Sequence, residues 1–141
     1  MSKLKPFHLA IPVHNLEDCR IFYRDILGCN EGRSSDHWVD FDLFGHQLVI
    51  HYKERISSNE DRTNPVDGKN VPIPHFGVVL DMETFTKFSE SLKEKNVTFI
   101  IEPYIRFEGE TGEQATMFFK DPSGNALEFK GFKNLDQLFA K

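Results

Sequence analysis

The sequence predicts an α+β fold built from two similar halves, and three observations carry that prediction. A strand-like segment around His8 returns around His75, an offset of 67 residues. Each copy is followed by an amphipathic helix signal. A second shared frame, Asp-x-x-Gly-x-x-Leu, begins at Asp42 and again at Asp121, an offset of 79. A helix covering one face of each small sheet is an α+β plan.

The elements follow in order. Phe7-His8-Leu9-Ala10-Ile11-Pro12-Val13 matches Pro74-His75-Phe76-Gly77-Val78-Val79-Leu80, and both alternate and are rich in β-branched or aromatic residues, as strands are. Asn15 is placed to cap a helix over Leu16–Leu27, with Asp18 in its first turn and Cys19, Phe22, Tyr23, Ile26 and Leu27 on one face. Asp81 caps a second over Met82–Lys95, with Phe85, Phe88 and Leu92 at helical spacing. The helices stop at Gly28 and Asn96, residue types that tolerate a left-handed C-cap. Each Asp-x-x-Gly reads as a turn between two strands. The offset grows between the two matches, so the second half carries a longer excursion, placed at Tyr104–Gln114 with Gly109 and Gly112. Each half thus reads as strand, helix, then two or three strands, with modules at about 6–52 and 74–132 in one domain spanning 1–141. Residues 53–73 are polar and dotted with Ser, Asn, Pro65, Gly68 and Pro72, and read as a linker. Asn134–Lys141 is expected to form a short helix carrying Leu135, Leu138 and Phe139.

Composition narrows the class. The chain has 141 residues, 39% hydrophobic and 13% aromatic with 14 Phe, so it buries a real core and is not disordered for most of its length. The net charge of −5 favours solubility and argues against nucleic acid as a partner. No apolar run reaches the ~18–20 residues of a membrane span, and Met1–Phe7 does not read as a signal peptide. Cys19 and Cys29 are too few for a disulfide framework or a cysteine zinc site, and read as reduced thiols. The expected compartment is the cytoplasm.

Strand parity then gathers three metal-type side chains. Successive side chains point to opposite faces. Phe7, Leu9, Ile11 and Val13 therefore oppose His8, Ala10 and Pro12, while Phe76, Val78 and Leu80 oppose His75, Gly77 and Val79. In the last strand Leu127 and Phe129 oppose Ala126, Glu128 and Lys130. A lone strand histidine is more often a hydrogen-bonded structural residue, and a lone strand glutamate a solvated one. Two histidines at equivalent repeat positions plus a glutamate on the corresponding face of the closing strand are not independent accidents. Imidazole and carboxylate are good donors for divalent ions. His8, His75 and Glu128 are the expected ligands of one divalent metal.

With these residues placed, the chain resembles the vicinal-oxygen-chelate superfamily, which includes glyoxalases, extradiol dioxygenases and fosfomycin- and bleomycin-resistance proteins. The resemblance rests on His8-Leu9-Ala10-Ile11-Pro12-Val13, Phe22-Tyr23 through Leu27-Gly28, His75-Phe76-Gly77-Val78 and Asp121-Pro122-Ser123-Gly124-Asn125-Ala126-Leu127-Glu128. It spans roughly Pro6 to Phe132. It implies two βαβββ modules forming a curved mixed sheet around a metal cleft, and a homodimer. More finely, the chain is similar to a group described as glyoxalase-like or extradiol-type dioxygenases. The family offers four ligand positions, on the first, fourth, fifth and last strands. His8, His75 and Glu128 match three, and the repeat places Val49 at the fourth, where it cannot bind metal. Glyoxalase-type isomerases commonly fill all four, whereas extradiol dioxygenases use two His and one Glu. The departure tilts the reading toward oxygen chemistry.

Other polar residues have assigned expectations. His51 shares the Val49 face and is the candidate catalytic base, a role that wants a pKa near neutrality; otherwise it is a surface imidazole near a strand end. Gln47 on the same face, and Tyr104 and Arg106 in the longer excursion, are candidate substrate-binding groups, with Arg106 able to clamp a carboxylate. A solvated loop charge is the plainer reading of Arg106. The leading expectation is an Fe(II)-dependent dioxygenase acting on a small vicinal-diol or similar chelating substrate. One alternative is a glyoxalase-like isomerase, lyase or thiol transferase using Mn, Ni, Zn or Co as Lewis acid. A non-catalytic small-molecule-binding protein is the other.

Overall fold

The computed structural model describes residues 4–55 and 62–141. The chain divides into two compact units, Met1–Asn59 with Asp121–Asn125, and Glu60–Lys120 with Ala126–Lys141. The secondary structure is mixed α+β and mostly strand, as expected.

The first unit runs β1 (His8–Val13), α1 (Leu16–Ile21), β2 (Asn30–Ser34), β3 (Trp38–Leu43) and β4 (His46–Tyr52). Its sheet order is β1-β4-β3-β2, with β1 parallel to β4 and the other pairs antiparallel. The β1 parity holds: Ile11 and Val13 are buried while His8, Ala10 and Pro12 are exposed. Phe7, expected on the oily face, is 66% exposed because it precedes the strand. Asn15 caps α1 by accepting from the Asp18 backbone N–H at 3.0 Å. The helix does not continue regularly to Leu27. Phe22–Ile26 forms a π-helical turn in which the Leu27 N–H reaches back five residues to the Phe22 carbonyl. The widened turn sends the adjacent Phe22 and Tyr23 both inward, where a regular helix would separate them by 100°. Gly28, at φ +78°, ends the segment.

Between β3 and β4, Phe44 (φ 49°) and Gly45 (φ 88°) make a two-residue turn of type I′. Asp42 fixes it by accepting from the Gly45 N–H at 2.6 Å. Asp121 does the same work in the second frame, accepting from the backbone of both Ser123 and Asn125 at 2.9 Å. Asp-x-x-Gly recurs because a short carboxylate at the first position satisfies the amides of the turn it starts.

The second unit opens inside the segment read as a linker. Residues 56–61 of that segment lie outside the described ones, but β5 (Thr63–Val66) and β6 (Lys69–Pro72) pair as a hairpin. Its turn, Asp67 (φ 52°) and Gly68 (φ 75°), is again type I′. Next come β7 (His75–Phe76), β8 (Val79–Asp81), α2 (Met82–Glu94), β9 (Phe99–Arg106), β10 (Gln114–Lys120) and β11 (Ala126–Phe132). The sheet order is β7-β11-β10-β9, with β8 also pairing β11 in parallel. Asp81 caps α2 through the Thr84 N–H at 2.8 Å, and Asn96 at φ 60° closes it. Phe88 from the helix packs edge-on against Phe129, which stacks on Phe119. The chain ends in the expected short helical piece, a 3-10 turn at Leu135–Gln137.

The strand expected to be continuous from Pro74 to Leu80 is broken at Gly77 and Val78. At Gly77 the chain runs so close to β11 that a Cβ would lie 1.5 Å from the Glu128 carbonyl oxygen. The backbones of the β7–β8 segment and β11 cross too closely for any side chain.

Candidate metal centre

Glu128 stands at the middle of β11 between Leu127 and Phe129, both 0% exposed. Its own side chain is 10% exposed, so its charge needs partners within the protein. Two are present. Thr116 of β10 donates its hydroxyl to Oε2 at 2.5 Å, and His75 Nε2 lies 3.0 Å from Oε1.

The His75 ring is fixed from behind. Its Nδ1 lies 2.7 Å from the Pro72 carbonyl oxygen, which only accepts, so Nδ1 carries the proton. In the neutral ring Nε2 is then an electron-pair donor, facing another donor, Glu128 Oε1. Two such atoms at 3.0 Å are held together by a cation or a proton. An imidazole whose far nitrogen is tied to a carbonyl, beside an oriented carboxylate, is a donor pair that fits a divalent metal. Phe118 sets its ring edge-on to His75, with centroids 5.0 Å apart, and gives the pair an apolar wall with Val71 and Ile101.

His8, in the first unit, is prepared in the same way. Its Nδ1 lies 2.9 Å from Gln47 Oε1, and Gln47 Nε2 donates to Asp40 Oδ2 at 3.3 Å. The Asp40 carboxylate only accepts, so it turns the Gln47 amide with NH2 toward itself and the carbonyl toward His8. That carbonyl demands a proton on Nδ1 and leaves Nε2 as the free donor. Parallel pairing sets Gln47 beside His8 in register. The structure therefore engages Gln47, expected to orient substrate, with His8 and Asp40. Among the described residues no three His, Cys, Asp or Glu side chains are gathered as a cation site; the pair that converges is His75 with Glu128.

The remaining candidates fall in two groups. His51 is exposed on β4, in register with Pro12 and Trp38 and on the Val49 face, as expected. Val49 itself is 5% exposed and in register with Ala10. Tyr104 and Arg106 do not lie in a loop. They belong to β9, and the excursion shrinks to residues 107–113. Both reach the hairpin turn: Arg106 Nε donates to Asp67 Oδ2 at 2.6 Å and Tyr104 Oη to the same oxygen at 3.1 Å. The Arg106 bond, then that of Tyr104, holds the Asp67 carboxyl below its usual range. A guanidinium so paired anchors the hairpin.

Thr116 and Asp40 were not anticipated. The signal for Thr116 was available, since antiparallel register puts Thr116 and Phe118 on the Glu128 face. The two cysteines are free and buried, and burial pushes their thiols up, to about 11 for Cys19 and about 12 for Cys29. Burial thus favours the neutral thiol at both positions.

The sequence pattern of the Glyoxalase/Bleomycin resistance protein/Dioxygenase superfamily matches residues 5–129. The chain belongs to this superfamily. The chain is similar to a glyoxalase/bleomycin resistance protein/dioxygenase from Alicyclobacillus acidocaldarius, at 30% identity and a TM-score of 0.74 over 95% of this chain and 96% of that one. A lactoylglutathione lyase from Agrobacterium tumefaciens shares the fold at 17% identity and TM-score 0.64, over 94% of this chain and 97% of that one. So does a variant of the fosfomycin resistance protein of Listeria monocytogenes, complexed with Mn(II) and a dihydroxypropylphosphonic acid, at 20% identity and TM-score 0.65 over 99% and 97%.

Proposed function

We propose that the protein is a metal-dependent enzyme in which His8, His75 and Glu128 hold one divalent ion, Fe(II) foremost, and that it oxidises a small vicinal-diol or similarly chelating substrate with dioxygen. The observation that carries the reading is the facing of His75 Nε2 and Glu128 Oε1 at 3.0 Å, each fixed from behind by an independent hydrogen bond. The Mn(II) complex of the fosfomycin resistance relative supports a divalent ion in this fold.

The preference for oxidation rests on Val49. Buried apolar carbon stands where a fourth ligand would, and three protein ligands leave coordination positions free for a chelating substrate and for oxygen. The metal would supply redox and Lewis-acid chemistry at that point. Around it, Gln47 and the Pro72 carbonyl hold the two imidazoles in the tautomer that offers Nε2. Phe118, clustered with Val71 and Ile101, covers one side of His75. His51, exposed on the Val49 face, takes the proton that a catechol-type hydroxyl gives up on chelation.

The test is oxygen consumption by anaerobically iron-loaded protein offered a panel of catechols. Uptake with at least one catechol, reduced at least ten-fold in His51→Ala with iron still bound, is the expected result. Bound iron with no uptake across the panel, together with turnover of a hemithioacetal under nitrogen, would assign the site to isomerase chemistry instead.

A further inference from the structure

A carboxylate can bind a metal through one oxygen or both, and here one of the two already accepts a hydrogen bond. Thr116 lies in β10 and is 1% exposed. It pairs with Lys130 in the ladder, two residues from Glu128 on the same face, which puts the two side chains on a diagonal. A β-branched side chain has little freedom about χ1, so packing that fixes its methyl also fixes its hydroxyl. That hydroxyl has one proton, and it goes to Glu128 Oε2 at 2.5 Å. Oε1 is left pointing at His75 Nε2.

We propose that Thr116 is a positioning residue that reserves Oε2 and so restricts Glu128 to coordination through Oε1 alone. The inference rests on Glu128 being a metal ligand. Its consequence is a further open position on the ion, since a chelating carboxylate occupies two sites and a single oxygen one. Thr116 thus sets how much of the metal is available to substrate without touching it.

The experiment uses Mn(II) alone as the probe. Infrared difference spectra of metal-loaded against metal-free protein report the separation of the carboxylate stretches, wide for one-oxygen and narrow for two-oxygen binding. Wild type and Thr116→Ser, which keeps the hydroxyl, are expected to show the wide separation. Thr116→Val, which keeps the shape and loses the proton, is expected to show the narrow one, with Mn(II) affinity about ten-fold weaker. A narrow separation in the wild type overturns the proposal without any variant, and so does an unchanged separation in a folded Thr116→Val. Undiminished Mn(II) affinity in Glu128→Gln would instead remove the ligand assignment beneath it.

Discussion

Gly77→Ala will destabilise the second unit by about 3 kcal/mol or more, a drop in melting temperature of roughly 10 °C. The added methyl meets the Glu128 carbonyl oxygen at 1.5 Å and the carbonyl carbon at 2.6 Å. Both are backbone atoms of a central strand, so no rotamer change relieves the overlap. The two chain segments must separate, and parallel pairing of β7 and β8 with β11 is what they lose. His75 and Glu128 sit on those strands, so the proposed metal site should be lost in proportion to the unfolding. Thermal denaturation followed by circular dichroism checks this. A melting temperature within 2 °C of wild type would show that the close approach is not as described.

Asp121→Ala ranks beside it, at about 3–5 kcal/mol, by a different route. Asp121 is 4% exposed and accepts from four donors: the Tyr23 hydroxyl at 2.7 Å, the Ser123 and Asn125 amides at 2.9 Å, and Asn125 Nδ2 at 3.0 Å. Asn125 Nδ2 also donates to the Pro12 carbonyl at 2.9 Å, which ties the turn to β1. Removing the carboxylate strands a hydroxyl on Tyr23, itself 0% exposed, and two turn amides. Burial first, and the Asp121 charge second, hold the Tyr23 phenol well above its ordinary range, so it donates at every pH of interest. Tyr23→Phe should cost less, about 1.5–3 kcal/mol, because it removes the donor along with its bond. The double variant should be less destabilised than the two losses added together. Strict additivity in urea titrations would contradict the bond.

Local rules made much of this legible. Asn15 and Asp81 were readable as caps because a short polar side chain before an apolar-periodic run has one obvious use. Gly28 and Asn96 were readable as stops for the same kind of reason. Parity alone put Leu127 and Phe129 inside and left Glu128 facing His75. The failures are equally specific. Nothing in Leu16–Leu27 marks the π turn, since Phe22 and Tyr23 are both apolar enough to belong inside either helix. The Asp67-Gly68 hairpin was hidden because its flanking strands are polar, although that dipeptide is itself a strong turn signal. Arg106 and Tyr104 were misplaced with it, because their partner Asp67 lay in what read as linker. The Pro72 carbonyl that fixes the His75 tautomer is backbone, and backbone partners leave no mark on residue identity.

The role proposed for His8, His75 and Glu128 is to hold one metal. It is tested most directly by metal stoichiometry and affinity on anaerobically loaded protein, with wild type measured beside His8→Ala, His75→Ala, Glu128→Ala and His51→Ala. One divalent ion per chain is expected in wild type and His51→Ala, and affinity at least about 100-fold weaker in each of the other three, which lose a ligand outright. Wild-type affinity retained in Glu128→Ala or His75→Ala, or no stoichiometric metal in wild type after loading, would contradict it.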